Sequence, residues 1–141
     1  MKKFLDLGQQ PLANSYIEKK NLNLKEKKFS LAVGFDSKNY IVSILNTVPK
    51  ERMFNKDYSY KSSESKTMQS SFRELAKKIK KKFKPNFIIE IGSNDGAFIK
   101  NFSRKIVIGV EPCKNLAEIT RKKKYKTYSK YWSTSLAKTI T

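Results

Sequence analysis

The sequence predicts an α/β fold in which a short parallel sheet follows a long helix. Two apolar runs rich in isoleucine and valine, at 87–91 and 106–110, have the length and composition of strands buried on both faces of a parallel sheet. Apolar residues at helical spacing precede the first run over residues 64–83. A glycine-containing turn follows it at 92–96. These features indicate the strand–turn unit with which α/β proteins cradle nucleotide-type ligands.

Two regions are expected along the chain. Residues 1–60 are predicted to form a small N-terminal, substrate-side region, and residues 61–141 the first part of the α/β domain. Gly8 and Pro11 interrupt the stretch 4–17, which favours an ordered loop or a short strand over a helix.

A β-hairpin is predicted within the N-terminal region. Residues 29–35 and 39–45 are rich in β-branched and aromatic residues, and Asp36–Asn39 between them is a turn signal. Further along, Tyr58 and Tyr60 are two residues apart in an extended segment, so their side chains are expected to face one side. They either pack in a loop or face a ligand.

The clearest helix is predicted over residues 64–83. Ser62 or Ser63 is expected to cap its start, and Pro85 ends it. The lysines within 77–84 lie where the helix macrodipole favours cations, so this run is interpreted as a solvated helix end rather than a nucleic-acid site. Later in the chain, the patterns predict a helix, a third strand and a further helix at 115–124, 126–128 and 133–140.

The turn after the first strand is the candidate binding loop. A helix-like pattern, Ala97, Phe98, Ile99 and Phe102, follows it, and a helix N-terminus there would offer free N–H groups. A dinucleotide fingerprint requires Gly-x-Gly-x-x-Gly, but the chain has Gly92, Asn94 and Ala97 at those positions. The pattern is instead Glu90-Ile91-Gly92-Ser93-Asn94-Asp95-Gly96.

This pattern resembles motif I of class I S-adenosylmethionine (SAM) methyltransferases. SAM has no pyrophosphate, so the loop need only pack against its methionine moiety and ribose. Glu111 ends the second strand 21 residues after Glu90, near the roughly 20-residue spacing of a ribose-binding acid. The alternative is an ordinary strand–helix–strand unit with a tight turn and a solvated Glu111.

Composition limits the function classes. The formal net charge is +19, and of the 31 basic residues 27 are Lys and four are Arg. Since Arg is the usual reader of base edges, this excess of lysine argues against specific nucleic-acid recognition. A lysine bias from an AT-rich genome would give the same count, and an anionic substrate such as a nucleotide-linked sugar is compatible with the charge.

The single cysteine, Cys113, excludes an internal disulfide and a multi-cysteine zinc site. The sequence has neither a run of 18 apolar residues nor an apolar stretch after its basic start, so no membrane span and no secretory signal are predicted. A cytoplasmic location is expected.

Four segments together resemble one family, the SAM-dependent C-methyltransferases that act on nucleotide-linked deoxysugars. The stretch Phe4–Ser15 is similar to the family's N-terminal signature, and Asp57–Ser63 to its Tyr-x-Tyr-x-Ser-Ser segment. Glu90–Gly96 looks like its form of motif I, and Gly109–Pro112 with Asn115–Ala117 is similar to its second strand and helix. The resemblance covers nearly the whole chain.

The resemblance implies a partial Rossmann-like methyltransferase sheet, SAM as cofactor and a nucleotide-linked sugar as substrate. It implies C-methylation next to a ketone, by attack of an enolate on the SAM methyl group. The cofactor residues it implies are Glu90, Gly92, Ser93, Asn94, Gly96 and Glu111. Tyr58 and Tyr60 would face the sugar or the methyl donor, and the catalytic base stays unassigned.

The chain departs from the family in two ways. A zinc-ligand pair would fall at about Gly34 and Ser37, neither of which binds zinc, so the metal site is expected to be lost and hairpin packing to replace it. The family's C-terminal domain is also missing, so the chain alone is expected to be inactive, with its other half in cis or in a separate chain. The competing hypotheses are a basic nucleic-acid-binding module and a non-catalytic remnant.

Overall fold

The computed structural model describes residues 1–140 and contains two compact units, Met1–Met53 and a second that begins at Phe54. The sequence places this boundary after residue 60, whereas the structure assigns the tyrosine segment to the second unit. The described residues form a mixed α/β fold with two three-stranded sheets and four α-helices. No helix within residues 1–140 is both long enough and apolar enough to cross a membrane.

The first unit is an antiparallel sheet of order β1-β2-β3. The hairpin is confirmed as β2 (Lys28–Asp36) paired with β3 (Ile41–Ile44). The stretch expected as a loop or short strand is β1 (Lys2–Pro11), which pairs with β2 over its length with two register shifts. A short helix, α1 (Lys50–Met53), ends the unit.

This sheet has little hydrophobic core. All ten residues of β1 are exposed, and within residues 1–53 only Ala32 and Gly34 are buried. A Cβ atom at Gly34 would lie 2.6 Å from Leu45 Cδ2, so the glycine is needed for the close approach of that side chain. The unit is therefore held mainly by its backbone ladder. The hairpin packing expected to replace a zinc site is limited to contacts such as Leu45 over Gly34 and the rings of Phe35 and Tyr40, whose centroids lie 6.5 Å apart.

The second unit contains the parallel sheet, of order β4-β5-β6. Its strands confirm the three predicted from the sequence: β4 (Ile88–Ile91), β5 (Val107–Val110) and β6 (Lys126–Tyr128). Both strand pairs are parallel, with Glu90 opposite Gly109 and Gly109 opposite Thr127. All three strands therefore begin at one edge of the sheet and end at the other.

The long predicted helix is confirmed as α2 (Lys66–Phe83). Its N-cap is Ser65, whose Oγ accepts a hydrogen bond from the Met68 N–H at 3.2 Å. The predicted caps, Ser62 and Ser63, are wrong because both residues bind the glycine loop described below. The buried core of this unit consists of Ala76, Ile99, Phe102 and Val107, with Ile79, Ile88, Phe98 and Tyr125 against it.

The helix predicted after the glycine turn is wrong. The structure has a single 3-10 turn, Ile99–Asn101, and Phe102 returns to extended backbone. The Asn101 side chain donates to the carbonyls of Ala97 and Phe98, which removes acceptors that a helix would use. The connection from β4 to β5 is also short, and the loop occupies its first residues, so it has no room for an α-helix and a return turn.

The last two helices are close to their predicted positions. They are α3 (Lys114–Lys122), which packs through Leu116, Ala117 and Thr120, and α4 (Thr134–Ile140), which buries Leu136. Because β4, β5 and β6 are parallel neighbours in chain order, the glycine loop, the start of α3 and the end of β6 meet at the carboxyl edge of the sheet.

Candidate functional site

The candidate site is the loop from Gly92 to Gly96, between β4 and the 3-10 turn. Three of its residues adopt left-handed backbone: Gly92 (φ 73°), Asn94 (φ 49°) and Gly96 (φ 84°). At Gly92 a Cβ atom would meet nothing within 4 Å, so the backbone is open to a ligand there. At Gly96 a Cβ atom would lie 2.7 Å from Thr120 Cγ2, so this glycine is required for packing against α3.

Every backbone N–H in this loop donates a hydrogen bond within the protein. Gly92 and Ser93 donate to the Val110 carbonyl, at 2.8 and 3.1 Å, and Gly96 donates to the Ser93 carbonyl at 2.9 Å. Asn94 donates to Glu111 Oε2, and the Asp95 N–H donates to Asn94 Oδ1. The expectation of free N–H groups at a helix N-terminus is therefore wrong, and the loop offers no amide cradle for a phosphate.

Glu111, immediately after β5, is a buried anchor of the loop. Its side chain is 4% exposed, and its two oxygens accept hydrogen bonds from the N–H groups of Asn94 and Cys113, both at 2.8 Å. Each carboxylate oxygen keeps a second lone pair that can accept from a ligand hydroxyl. The role of Glu111 at a ribose stays a prediction, and its role in holding the loop is a finding that the sequence did not indicate.

Glu90 is the unusual carboxyl of the site. It lies on β4, and its buried Oε2 has no hydrogen-bond partner within residues 1–140. Burial raises the pKa of Glu90 to about 8, with the negative charges of Glu111 and Asp95 raising it further and the Ile99 N–H opposing the rise. Glu90 is therefore largely protonated at neutral pH unless a cation comes close.

Three carboxyl groups thus converge on one loop. None of the ion pairs within residues 1–140 involves Glu90, Asp95 or Glu111, although the chain as a whole is strongly basic. Ser93 Oγ is also buried without a partner in the described residues, and it lies beside Gly109, opposite Glu90 in the register. The site therefore combines negative charge with unsatisfied polar atoms.

The segment from Tyr58 to Ser63 is hydrogen-bonded to this loop. Asn94 Oδ1 accepts from the Ser62 N–H at 2.9 Å, and Asn94 Nδ2 donates to the Tyr60 carbonyl at 3.1 Å. Asp95 accepts from both the N–H and the hydroxyl of Ser63. These bonds fix the backbone of the tyrosine segment beside the glycine loop.

The predicted tyrosines both reach the site through their backbone. The Tyr58 carbonyl accepts from Asn115 Nδ2 at 2.8 Å, and its half-buried ring packs 5.6 Å from that of Phe54. The Tyr60 side chain is 44% exposed. The structure thus brings every predicted site residue, with the loop, to one edge of the sheet, and whether the two phenols face a ligand stays a prediction.

Sequence reasoning missed Asp95 and Asn115 as site residues. Asp95 is inside the quoted loop motif, and its 2% exposure identifies it as structural rather than solvated. Asn115 follows β5 by five residues and bonds to a carbonyl 57 residues earlier. An Asn near the start of a helix that follows a strand is a weak signal, because only the tertiary contact reveals its partner.

Cys113 lies beside Glu111 but is not arranged as a nucleophile. Its side chain is 1% exposed, and burial, with the charge and hydrogen bond of Glu111, raises the pKa of the thiol to about 12. The thiolate that nucleophilic chemistry needs is therefore not formed at neutral pH.

A metal centre does not fit the first unit. That unit contains no Cys or His, and the positions expected for ligands are Gly34, in β2, and Ser37, in the following turn. The Asp36 carboxylate is occupied by the N–H of Lys38 and the side chain of Asn39. Within residues 1–140, no group of three or more His, Cys, Asp or Glu side chains is arranged to hold a metal ion.

Comparison with known proteins finds a similarity for the first unit. Residues 1–54 match a methyltransferase-associated family model, Methyltransf_13, described as "Putative zinc binding domain". No curated protein matches the chain. The match ends one residue beyond the first compact unit, Met1–Met53. Residues 1–54 are therefore similar to a methyltransferase-associated zinc-binding domain, and residues 1–53 contain no Cys or His that could bind zinc.

Proposed function

We propose that the second unit binds S-adenosylmethionine at the carboxyl edge of its parallel sheet, as the cofactor-binding part of a methyltransferase. The observation that carries this proposal is the convergence of Glu90, Asp95 and Glu111 on one loop without a cation partner in the described residues. SAM carries positive charges on its sulfonium and ammonium groups and a negative charge on its carboxylate, so its net charge is positive. A cluster of carboxyl groups attracts such a ligand and repels a phosphate.

The hydrogen-bonding groups of the glycine loop favour SAM over a dinucleotide. Pyrophosphate sites depend on free backbone N–H groups at a glycine turn and a helix N-terminus. Here the amides of Gly92–Gly96 are all used internally, and a 3-10 turn stands in place of the helix. The unpartnered Ser93 Oγ, and Glu90 Oε2 once a cation ionises Glu90, can instead accept from the ammonium and hydroxyl donors of SAM.

The position of the site at the carboxyl edge of the parallel sheet also supports a proposal about the fold. We propose that β4-β5-β6 is part of a Rossmann-like methyltransferase sheet, because ligands of open α/β sheets bind outside the carboxyl ends of the strands. In this arrangement Glu111 accepts from the ribose hydroxyls, and the open backbone at Gly92 packs against the methionine moiety. When bound, SAM supplies an electrophilic methyl group.

The finer proposal concerns the acceptor. The N-terminal domain is of a methyltransferase-associated type, and the tyrosine segment is fixed beside the glycine loop by Asn94, Asp95 and Asn115. We propose that Tyr58 and Tyr60 border a nucleotide-linked ketosugar and that the transfer is to the carbon next to the ketone. The protein contributes positioning and stabilisation of the enolate, and the base is a residue not assigned by the site.

Calorimetric titration of the 141-residue chain with SAM tests the cofactor assignment. We expect binding by the wild type and about tenfold or more weaker binding by Glu111→Gln, because one of its oxygens becomes an N–H donor. The matched control is Glu118→Gln, an exposed carboxylate on α3. NAD⁺ is expected not to bind, because the loop has no free amides for its pyrophosphate.

Two outcomes would oppose the proposal. A folded chain that does not bind SAM removes the cofactor assignment altogether. NAD⁺ binding of similar strength would show that the site accepts a pyrophosphate, so the argument from the loop amides would fail.

A further inference from the structure

The second unit has a concentration of basic residues at the edge of the parallel sheet where its strands begin. Three carboxyl groups lie at the carboxyl edge, as described above. Thirteen basic residues lie in three segments that lead into the strands, and these segments contain no acidic residue: 77–84, 104–105 and 121–126. All thirteen side chains are exposed. We call these three segments the basic edge.

The topology brings these segments together. Residues 77–84 end α2 just before β4, residues 104–105 precede β5, and residues 121–126 end α3 and begin β6. Because the three strands are parallel neighbours, their starts are side by side, roughly 5 Å apart from strand to strand. The sequence shows three separate runs, and only the fold makes them one surface.

Side-chain contacts show that the basic edge is continuous. Lys80 Nζ lies 5.3 Å from the ring centroid of Phe102, which connects the end of α2 with the approach to β5. Arg104 Cζ lies 5.5 Å from the ring centroid of Tyr125, which connects the approaches to β5 and β6. The Tyr125 hydroxyl also donates to the Lys100 carbonyl at 3.4 Å.

Two simpler explanations do not account for this arrangement. The macrodipole of α2 favours cations within its last turn, but Arg104 and Lys105 follow only a short 3-10 turn, and Lys126 is in a strand. A general bias toward lysine would enrich every surface equally. It would not by itself leave three neighbouring segments of the fold without an acidic residue, although Glu74 on α2 pairs with Lys77 at 2.8 Å.

Exposed aromatic rings lie among these cations. Phe83, the last residue of α2, is 65% exposed, and Phe87, immediately before β4, is 46% exposed. Lys82 Nζ lies 5.3 Å from the ring centroid of Phe83. Surfaces that bind single-stranded nucleic acid combine cations that follow the phosphates with aromatic rings on which bases stack.

We propose that the basic edge binds single-stranded nucleic acid without sequence preference. Lysine contacts to phosphates supply affinity by releasing counterions, which needs none of the base reading for which Arg is preferred. Interleaved rings and cations favour this partner over an anionic membrane, where the apolar and basic residues of a binding helix occupy separate faces. The proposal is independent of SAM binding, because it uses the opposite edge of the sheet.

Fluorescence anisotropy with a labelled oligo(dT) of about 20 nucleotides tests the proposal on the full chain. We expect the triple variant Lys80→Gln, Lys81→Gln, Lys82→Gln to bind about tenfold more weakly at moderate salt. Its slope of log K against log salt should be smaller by about 2, because three phosphate contacts are lost. The matched control, Lys19→Gln, Lys25→Gln, Lys38→Gln, removes the same charge from exposed positions of the first unit and should bind nearly as the wild type does.

A second pair of variants tests stacking. Phe83→Ala should weaken binding to oligo(dT) about tenfold and leave binding to duplex DNA unchanged, since a paired base cannot stack on the ring. Tyr40→Ala, an 83% exposed ring in the first unit, is the control and should have no effect. Circular dichroism of each variant establishes that the fold is intact.

Three results would overturn the proposal. Equal weakening by the two lysine triples would show that only net charge matters. Tighter binding to duplex DNA than to oligo(dT) would remove the stacking role of Phe83. Binding to phosphatidylserine vesicles that depends on Lys80–Lys82, without binding to oligo(dT), would assign the basic edge to a membrane.

Discussion

Asn94 and Ser62 are 32 residues apart in sequence, and the Asn94 side-chain oxygen accepts a hydrogen bond from the Ser62 N–H at 2.9 Å. The same side chain donates to the Tyr60 carbonyl, and its backbone N–H donates to Glu111. Asn94 is therefore the junction between the tyrosine segment, the glycine loop and the acid after β5. Its left-handed backbone, at φ 49°, places all three contacts within reach.

The variant Asn94→Gly should separate the side-chain contacts of this residue from its backbone contact. Gly accepts the left-handed conformation and keeps the N–H that binds Glu111, but it loses the bonds to Ser62 and Tyr60 and the acceptor for the Asp95 N–H. We expect the free energy of unfolding to fall by about 1–3 kcal/mol, because the buried Ser62 N–H is left without an acceptor. Amide hydrogen exchange should accelerate in residues 58–63.

Lys124→Gly is the control for this experiment, since Lys124 also has left-handed backbone, at φ 65°, in the same unit. It should leave exchange in residues 58–63 unchanged. Equal protection of that segment in wild type and Asn94→Gly would show that Asn94 does not hold it.

The two loop glycines should differ in their tolerance of a side chain. Gly96→Ala adds a Cβ atom 2.7 Å from Thr120 Cγ2 at φ 84°, so both strain and a clash oppose it, and we expect a loss of roughly 3 kcal/mol in urea denaturation. Gly92→Ala meets nothing within 4 Å and suffers only the strain of its φ of 73°, about 1 kcal/mol.

A second variant background separates the steric clash of Gly96→Ala with Thr120 from its backbone strain. In a Thr120→Ser background the methyl group that Gly96→Ala would meet is absent, while the hydroxyl that binds Thr127 remains. The cost of Gly96→Ala should then be smaller than in the wild type. An unchanged cost would attribute the whole effect to backbone strain.

Much of the secondary structure follows from the sequence because periodicity is local. The apolar spacing of α2 and the apolar runs of β4 and β5 each predict their element. The cap of α2 does not follow, since Ser62, Ser63 and Ser65 are equally suitable locally. Asp95 and Asn94 decide between them by binding the first two.

The prediction of a helix after Gly96 is wrong for a similar reason. The apolar residues at 97–102 have helical spacing, but the spacing carries no information on how soon β5 must begin.

The candidate site is predictable only in part: the sequence motif indicates that Glu90 and Glu111 belong to it. The motif does not predict that Glu111 is a buried anchor of the loop, because its partners are backbone amides that only the fold brings close to it.

Cys113 should be inert toward thiol reagents in the folded protein. Its burial and its pKa of about 12 leave almost no accessible thiolate at pH values near 8. We expect one thiol per chain to react with a chromogenic disulfide in urea and almost none to react without it. Ser37→Cys, in the exposed turn after β2, is the positive control and should add one fast-reacting thiol.

Rapid labelling of native wild-type protein would contradict the burial of Cys113. Slow labelling whose rate rises with urea in parallel with unfolding would show that the thiol is reached only through the open state.

The raised pKa of Glu90 should make the free energy of unfolding depend on pH. Its pKa in the folded protein, about 8, lies above the ordinary value of 4.5 for an exposed glutamate, so the folded state binds the proton more tightly than the unfolded chain. The favourable contribution is complete below about pH 4.5 and is lost as the pH rises toward 8. We therefore expect Glu90→Gln to be increasingly more stable than wild type across that range, by an amount on the order of a few kcal/mol at pH 8.

The measurement is urea denaturation of both proteins at several pH values, with the difference taken at each so that other titrating groups cancel. Glu118→Gln, an exposed carboxylate, is the control and should give a nearly constant difference. A constant difference for Glu90→Gln as well would show that Glu90 has the same pKa in the folded and unfolded states.

The same carboxyl should make SAM binding release protons. A ligand cation next to Glu90 favours the ionised form and offsets the negative charges of Glu111 and Asp95, which oppose it, so a proton leaves as the ligand arrives. Calorimetry at pH 7 in buffers of different ionisation enthalpy should detect a release approaching about one proton per SAM bound. Adenosylhomocysteine, which lacks the sulfonium charge, should release less, and Glu90→Gln should bind SAM without the release. Binding of SAM with no proton release by the wild type would remove Glu90 from contact with the cation, whereas no binding at all would instead reject the cofactor proposal.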